Sequence, residues 1–286
     1  MIPGAGAHGG DGAAIARALG IDVLDLSQSL NPVAPDVAPV VARHLDALGR
    51  YPDPTEATCA LAGAMGVDPA RLVLTNGGAE AIALVGAELG GTVEEPDFSL
   101  YPRAGGPVWR SNPHSPSGLL APAGATAGVW DEAFYPLATG RWTRGDAAWV
   151  VGSLTKLLAC PGLRTGYVLA PDASSAEVVR ARQPAWSVNG LVCASLPELL
   201  ATVDLPRWRD EVAALRSRLV DVLRAAGLAP EPSDACWVLV DAPGLRDRLA
   251  PKGIAVRDCS SFGLPDHVRI AVPDPVGMTR LQEALT

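Results

Sequence analysis

One lysine and one arginine stand in a segment that otherwise consists largely of apolar and small residues. Residues 151–167 read VGSLTKLLACPGLRTGY and contain Lys156 and Arg164. A buried lysine is costly unless it is paired or used chemically, and desolvation lowers its pKa, as covalent catalysis by an amine requires. An arginine stays charged in any environment and suits a phosphate group. The pair therefore indicates an amine nucleophile beside an anion site, with two surface cations on a loop as the alternative.

A second anion site is predicted where a strand runs into a helix through two glycines. Residues 71–89 read RLVLTNGGAEAIALVGAEL, which indicates a buried strand, a turn and a helix. Main-chain amides at the start of a helix bind anions without any side chain, and Gly77, Gly78 and Ala79 would supply them. Because glycine turns are common, a plain strand-to-helix turn is the alternative.

Two apolar strands, AWVVGS and GYVLAP, are predicted to position the lysine and the arginine. Helices are predicted at about residues 36–48, 56–65 and 205–226, the first of them ending at Gly49. Strands near CWVLVDA, IAVRDC and HVRIAV and a last helix at PVGMTRLQEAL give the C-terminal part an α+β pattern. Residues 101–130 show almost no periodic pattern.

The composition indicates an enzyme-sized protein that acts on small molecules. The chain has 286 residues, 48% of them hydrophobic, and a net charge of −8, which leaves no basic surface for nucleic acid. Its five cysteines form no CxxC pair, so neither a disulfide framework nor a metal site is predicted, and a reduced cytoplasmic setting fits. A targeting leader and a membrane span are not predicted either.

The lysine segment closely resembles the cofactor-lysine segment of fold-type I pyridoxal-phosphate enzymes, with the pattern S-x-[ST]-K followed by P-G-[LI]-R-x-G-[YF]. VWDEAFY and NGGAE resemble two further segments of that family, in the same order. The resemblance implies pyridoxal 5'-phosphate as cofactor, bound covalently by Lys156, with Asp131 pairing with its ring nitrogen. It also implies that the cofactor phosphate is held by Ser153, Arg164 and the amides of Gly77, Gly78 and Ala79, and that Tyr101 or Phe98 stacks on the ring.

Other segments, among them HGGDG, LDLSQSLNP, RYPDP and RQPAWSVN, resemble the L-threonine-O-3-phosphate decarboxylases of cobalamin biosynthesis, relatives of histidinol-phosphate aminotransferase. Phe134, where aminotransferases commonly carry a tyrosine, favours the same branch. The resemblance implies decarboxylation of O-phospho-L-threonine to (R)-1-amino-2-propanol O-2-phosphate. The alternatives are an aminotransferase of the histidinol-phosphate type and a non-catalytic or partner-dependent protein of this fold.

The same resemblance implies a substrate pocket and a homodimer. Arg269 matches an arginine that binds the substrate carboxylate, and Arg257 matches one that binds the substrate phosphate. His8 and Asn31 match positions that line the pocket. Tyr51 would reach the cofactor phosphate of the neighbouring subunit, so that a homodimer shares its active sites.

The predicted fold is α/β, of the fold-type I transferase kind, with a reduced mixed or parallel central sheet and a smaller α+β C-terminal domain. The predicted divisions are an N-terminal arm (1–35), a large cofactor-binding domain (36–204) and a small domain (205–286). The sheet is predicted to be reduced because the segments at 101–112 and 120–130 are much shorter than in the family. The family's cofactor loop reads N-P-[TS]-G, but here Ser115 takes the place of the asparagine that contacts the cofactor.

Overall fold

A computed structural model describes residues 1–6, 8–145 and 148–286, and its strands form two sheets. The strands are β1 (Leu24–Leu26), β2 (Leu72–Thr75), β3 (Thr92–Val93), β4 (Val108–Ser111), β5 (Val129–Asp131), β6 (Trp149–Ser153), β7 (Gly166–Leu169), β8 (Trp237–Asp241), β9 (Ile254–Asp258) and β10 (His267–Ala271). The helices are α1 (Gly12–Leu19), α2 (Ala38–Ala42), α3 (Thr55–Met65), α4 (Gly78–Leu89), α5 (Tyr135–Thr139), α6 (Leu154–Leu157), α7 (Ala173–Arg182), α8 (Gly190–Leu200), α9 (Leu205–Ala225), α10 (Leu245–Leu249) and α11 (Pro275–Leu285).

The larger sheet has six strands in the order β2-β7-β6-β5-β4-β3. Strands β3 to β6 run parallel, and β7 lies antiparallel to both β6 and β2. Apolar side chains of α4 and α7 pack on one face, and those of α3, α5, α8 and α9 pack on the other. With both faces covered, the central strands are buried throughout, which explains the continuous apolar runs in the sequence.

Two connections between strands of this sheet lack secondary structure, in agreement with the short segments noted in the sequence at 101–112 and 120–130. Residues 94–107 between β3 and β4, and 112–128 between β4 and β5, contain no helix and no strand. Parallel neighbours are usually joined through a helix. The sequence did not predict strand β4. This strand is only four residues long, which is too short to give a clear periodic pattern within residues 101–130. The reduced α/β sheet is confirmed.

The smaller sheet has the order β1-β9-β10-β8, with α9 and α11 packed against it. Strand β1 comes from the N-terminal part of the chain and pairs in parallel with β9. Strands β9 and β10 are antiparallel, and Arg257 lies directly opposite Arg269. The N-terminal part of the chain therefore connects the two sheets, while the three predicted domain boundaries stay predictions.

One helix differs from its prediction. Residues 36–48 form the short helix α2 and then a 3₁₀ helix at Leu45–Gly49, not one continuous α-helix. Helices α3 and α9 begin and end within one residue of the predicted limits. In the described ranges, no helix combines the length and the apolar composition needed to cross a membrane.

Candidate active site

A cavity of about 390 Å³ lies where the carboxyl ends of β4, β5 and β6 face residues from the smaller sheet and the N-terminal segment. Most of the predicted site residues line it, although they come from distant parts of the sequence. Those that do are His8, Gly78, Ala79, Tyr101, Ser115, Asp131, Ser153, Lys156, Arg164, Arg257 and Arg269. Clefts at the carboxyl ends of strands are the usual ligand sites of open α/β sheets.

Lys156 lies in the single-turn helix α6, directly after β6. Burial lowers the pKa of its amine to about 8, and the charges of Arg269 and Arg164 act in the same direction. Asn31 does not line the cavity. Its main-chain N–H donates to the carbonyl oxygen of Lys156 at 3.0 Å, and its Nδ2 donates to that of Leu157 at 2.9 Å. Asn31 thus holds the backbone that carries the lysine, which differs from the pocket position predicted for it.

Asp131 ends strand β5 on the floor of the cavity. Its Oδ1 accepts a hydrogen bond from the N–H of Ala133 at 2.9 Å, and its Oδ2 accepts one from the hydroxyl of Tyr101 at 2.8 Å. Burial raises the pKa of Asp131 to about 6, against the opposing effect of both hydrogen bonds. The carboxylate is therefore fixed in direction and is ionised above about pH 6.

Tyr101 has a different position from the stacking residue that the sequence suggested. Its ring is 3% exposed and packs against Trp109 at 5.4 Å between ring centroids, while its hydroxyl binds Asp131. Phe98 also lines the cavity and meets the Tyr101 ring edge-on at 5.6 Å. Of the two predicted aromatic residues, Phe98 is the one whose ring is not already packed against a tryptophan.

The predicted phosphate site has the geometry that an anion requires. Helix α4 begins at Gly78 without a side chain capping its first amides, and Ser153 and Arg164 line the same part of the cavity. Gly77 has a φ of +80°, and a Cβ there would lie 2.5 Å from Nη2 of Arg164. Glycine is thus required both for this backbone conformation and for the close approach of the guanidinium. These residues fit a phosphate.

Two buried arginines form the opposite wall. Arg269 donates from Nη1 to Oγ of Ser115 at 3.2 Å, and its guanidinium lies 4.5 Å from the centre of the Trp237 ring. Arg257 lies over Phe262 at 4.6 Å. Burial lowers the pKa of Arg269 to about 9, and the neighbouring charge of Arg257 lowers it further. Two like charges this deeply buried are expected where an anionic ligand binds.

Ser29 is a site residue that the sequence analysis missed. It lines the cavity and is 2% exposed, and its Oγ has no hydrogen-bond partner among the described residues. A buried hydroxyl without a partner is costly unless a ligand satisfies it. The resemblance of LDLSQSLNP had pointed to Asn31, two residues further on, whereas the residue of this segment that lines the cavity with an unpartnered hydroxyl is Ser29.

Tyr51 lies outside the cavity. Its side chain is 78% exposed and stacks on Trp186 at 4.6 Å between ring centroids. The predicted contact with the cofactor of a neighbouring subunit requires an exposed tyrosine, but a single chain does not test it. This role of Tyr51 stays a prediction.

Comparison with known proteins assigns the chain to a family. Residues 108–285 match the model of the aminotransferase class I and II family, and the chain belongs to that family. A histidinol-phosphate aminotransferase from Symbiobacterium thermophilum is 36% identical over 141 residues, which cover 48% of this chain and 39% of the relative. One from Halorubrum lacusprofundi is 27% identical, over 99% of this chain and 94% of the relative.

A solved structure supports the fold. Histidinol-phosphate aminotransferase from Sinorhizobium meliloti, in complex with pyridoxal 5'-phosphate, superimposes with a TM-score of 0.82 at 20% identity, over 96% of this chain and 93% of that one. The family match identifies pyridoxal 5'-phosphate as the cofactor, and this neighbour shows a fold-type I transferase as the fold. The alignment with the Halorubrum relative spans 359 positions, 73 more than the 286 residues of this chain. That excess agrees with the simple connections around β4.

The prediction of a phosphothreonine decarboxylase is wrong. The relatives named above are histidinol-phosphate aminotransferases, whereas L-threonine-O-3-phosphate decarboxylase from Porphyromonas gingivalis is similar at 20% identity with a TM-score of 0.75, which shows the fold alone. The structure gives a physical reason for the error. Trp186 of the RQPAWSVN segment is 61% exposed and packs on Tyr51, so this segment, one of those that had favoured the decarboxylase, does not line the cavity of the single chain.

The lowered pKa of Lys156 predicts how fast the cofactor-free chain takes up pyridoxal phosphate. The neutral amine is the nucleophile, and its fraction grows as the pH rises through about 8. We expect the uptake rate to rise through this pH and to level off about one unit above it, as followed by stopped-flow absorbance. A rate that still rises at about pH 10, the value for an ordinary lysine, would contradict the buried environment of Lys156.

Proposed function

We propose that this chain is a pyridoxal-phosphate-dependent aminotransferase for an amino substrate that carries an anionic group, of the histidinol-phosphate type. The observation that carries the proposal is that Arg257 and Arg269, both buried, line the same cavity as Lys156 and Asp131. The names of the relatives support the same substrate class. Phosphate and carboxylate are the groups that paired guanidinium groups bind best.

Each site residue has a role that follows from its position. When bound, pyridoxal phosphate withdraws the electron pair from the α-carbon of the substrate and carries the amino group from one substrate to the next. Lys156 would hold the cofactor and accept at Nζ the proton that the α-carbon loses. Asp131 would accept a hydrogen bond from the protonated ring nitrogen. The amides of α4, Ser153 and Arg164 would bind the cofactor phosphate.

The charges that line the cavity agree with two anionic ligands. Lys156, Arg164, Arg257 and Arg269 contribute four cationic groups, whereas Asp131 contributes one carboxylate. Arg164 lies beside the glycine turn and matches the cofactor phosphate. Arg257 and Arg269 lie together on the small sheet and would bind the anionic group of the substrate, with the hydroxyl of Ser29 as a further donor.

A homodimer is part of this proposal. Leu45, Leu48, Tyr51 and Trp186 are large apolar or aromatic residues that are each more than half exposed. Burying such residues between two copies is favourable, and it would also allow Tyr51 to approach the partner's cofactor. Sedimentation of the purified holoprotein only as a monomer would contradict this part of the proposal.

The proposed activity is tested with histidinol phosphate and a 2-oxo acid. We expect the holoprotein to convert the cofactor to its amine form with histidinol phosphate and to regain the aldehyde form with the oxo acid. Arg269→Ala should raise KM for histidinol phosphate about 100-fold, because the loss of one buried charged contact costs about 2–3 kcal/mol. Arg248→Ala, an exposed arginine of α10, is the matched control.

Two results would contradict the proposal. One is the absence of amino transfer from histidinol phosphate and from a panel of phosphorylated or acidic amino compounds by a protein that binds the cofactor. The other is an unchanged KM in Arg269→Ala. The cofactor spectrum is recorded for each variant, so that a lost substrate contact is distinguished from a lost cofactor.

A further inference from the structure

A second buried carboxylate lies behind Asp131, and the roles assigned above do not use it. Asp97 belongs to the short connection 94–107 and is 3% exposed. Its Oδ1 accepts hydrogen bonds from the N–H of Phe98 at 2.7 Å and from Oγ of Ser111 at 2.5 Å, and its Oδ2 accepts one from the N–H of Ser111 at 3.1 Å. Burial raises the pKa of Asp97, and the hydrogen bonds from Ser111 and Phe98 and the charge of His114 oppose that rise.

Ser111 connects Asp97 to the floor of the site. It ends strand β4 beside Asp131, which is its paired residue on β5. The hydroxyl of Ser111 has one hydrogen, which it donates to Asp97, and its oxygen accepts the N–H of Ser115 at 2.7 Å. The same carboxylate therefore holds the end of β4, the main chain of the loop that carries Ser115, and the main chain of Phe98.

The nearby basic groups of His114 and Arg103 bind other partners and form no ion pair with the carboxylate of Asp97 in the described residues. No ion pair in residues 1–6, 8–145 and 148–286 includes its side chain. His114 contacts the carbonyl oxygen of Pro96 through Nε2 at 2.8 Å and Oγ of Ser117 through Nδ1 at 2.8 Å. Arg103 binds the main-chain oxygen of Asp97 and pairs with Glu95 instead.

We propose that Asp97 is a positioning residue. Its hydrogen bonds to Ser111 fix the end of β4 beside Asp131, and its buried negative charge favours a proton on the nitrogen of the cofactor ring. The proposal rests on the role proposed for Asp131. Four cationic groups line the cavity and oppose a further positive charge on the ring. A second negative charge close behind Asp131 offsets them, since opposite charges favour the protonated state of a basic nitrogen.

Electrostatic effects couple the buried groups around Asp131. The charge of Asp97 raises the pKa of Asp131, and both carboxylates raise the pKa of Tyr101, which connects to Asp131 by its hydroxyl. Lys156 lowers the pKa of Asp131. The ionisable groups that face Asp131 are therefore Asp97, Tyr101, Lys156 and, from β7, Tyr167.

The test is a pH titration of the bound cofactor's absorbance in the holoprotein without substrate. Removing a negative charge lowers the pKa of every neighbouring group, so Asp97→Asn should move the midpoint down by about half a pH unit or more. Asp97→Thr is the second neutral variant, because its smaller side chain fits and its hydroxyl can accept the N–H of Phe98. Asp221→Asn makes the same change at an exposed position of α9 and should leave the midpoint in place.

If Asp97 had only a structural role, the neutral variants would change stability but leave the midpoint of the cofactor titration in place. Ser111→Ala removes the hydroxyl contact but leaves the charge, so it should shift the midpoint less than either neutral variant does, although it lowers stability. A midpoint that stays at the wild-type value in both neutral variants would overturn the proposal. In the cofactor-free chain, carboxyl ¹³C NMR gives an independent answer: the Asp131 midpoint, about 6 in the wild type, should fall in both variants. A chain that binds no cofactor would refute the proposed function, whereas this second titration would still decide the role of Asp97.

Discussion

Lys156→Ala is expected to remove the visible absorption of the bound cofactor and to lower amino transfer at least a thousandfold. The neutral amine of Lys156 is the proposed covalent attachment and the base that receives the proton of the α-carbon, so one substitution removes both functions. The cavity should persist, because alanine leaves the main-chain contacts of Asn31 with α6 unchanged. Absorbance spectra and single-turnover rates on the purified variant measure both effects.

The chain provides a matched control, because its sequence contains only one other lysine, Lys252. The amine of Lys252 donates to the carbonyl oxygen of Ala284 at 2.7 Å, and it does not line the cavity. Lys252→Ala should therefore keep the cofactor spectrum and the rate. If Lys156→Ala retained the absorption band while Lys252→Ala lost it, the assignment of the covalent site would be reversed.

The second large effect is expected from Asp131→Asn. Asparagine keeps the size of the side chain and can still accept the N–H of Ala133, but it has no negative charge to keep the ring nitrogen protonated. We expect the cofactor to remain bound and kcat to fall about a hundredfold to a thousandfold, with a smaller change in KM. Steady-state kinetics with the amino substrate and the oxo acid separate the two parameters.

A cofactor analogue with a methyl group on the ring nitrogen tests whether Asp131 acts through the charge of that nitrogen. Its nitrogen carries a permanent positive charge, so it does not depend on a carboxylate partner to remain charged. The analogue should restore part of the activity of Asp131→Asn. An Asp131→Asn variant with full activity on the normal cofactor would show that Asp131 acts only in binding.

Much of the candidate site was predictable because its strongest signals are local in the sequence. Lys156, Ser153 and Arg164 lie within twelve residues, and the turn at Gly77 lies between a recognisable strand and helix. In each case the chemistry depends on the backbone path of one short segment. Such segments keep their pattern even where the chain around them has been shortened.

Contacts between distant segments were not predictable in the same way. The hydroxyl of Tyr101 binds a carboxylate 30 residues away, and Asp97 binds Ser111 14 residues away through a strand that the sequence did not reveal. Tyr101 and Phe98 were both candidates for stacking on the cofactor ring. Tyr101 packs against Trp109 and binds the carboxylate of Asp131, so its position differs from that of Phe98. Only the folded chain decides this question.

The reaction type was the least predictable property. The cofactor residues are common to enzymes that break different bonds at the α-carbon, so they do not select between decarboxylation and amino transfer. Of the segments that had favoured decarboxylation, HGGDG and LDLSQSLNP contribute residues to the cavity wall, whereas RQPAWSVN lies outside it, as Trp186 illustrates. We expect substrate choice to depend on the wall formed by Arg257, Arg269 and Ser29, which comes from three separate parts of the chain.

Nζ of Lys156 is the proposed attachment point of the cofactor, and borohydride reduction of the holoprotein followed by peptide mass spectrometry identifies the amine that carries it. Reduction makes the linkage permanent, and the only competing amines are Lys252 and the N-terminus. Our account predicts the phosphopyridoxyl mass on the peptide that contains Lys156 and on no other peptide. The same mass on Lys252 alone, or on neither lysine in a protein that shows the cofactor spectrum, would contradict it.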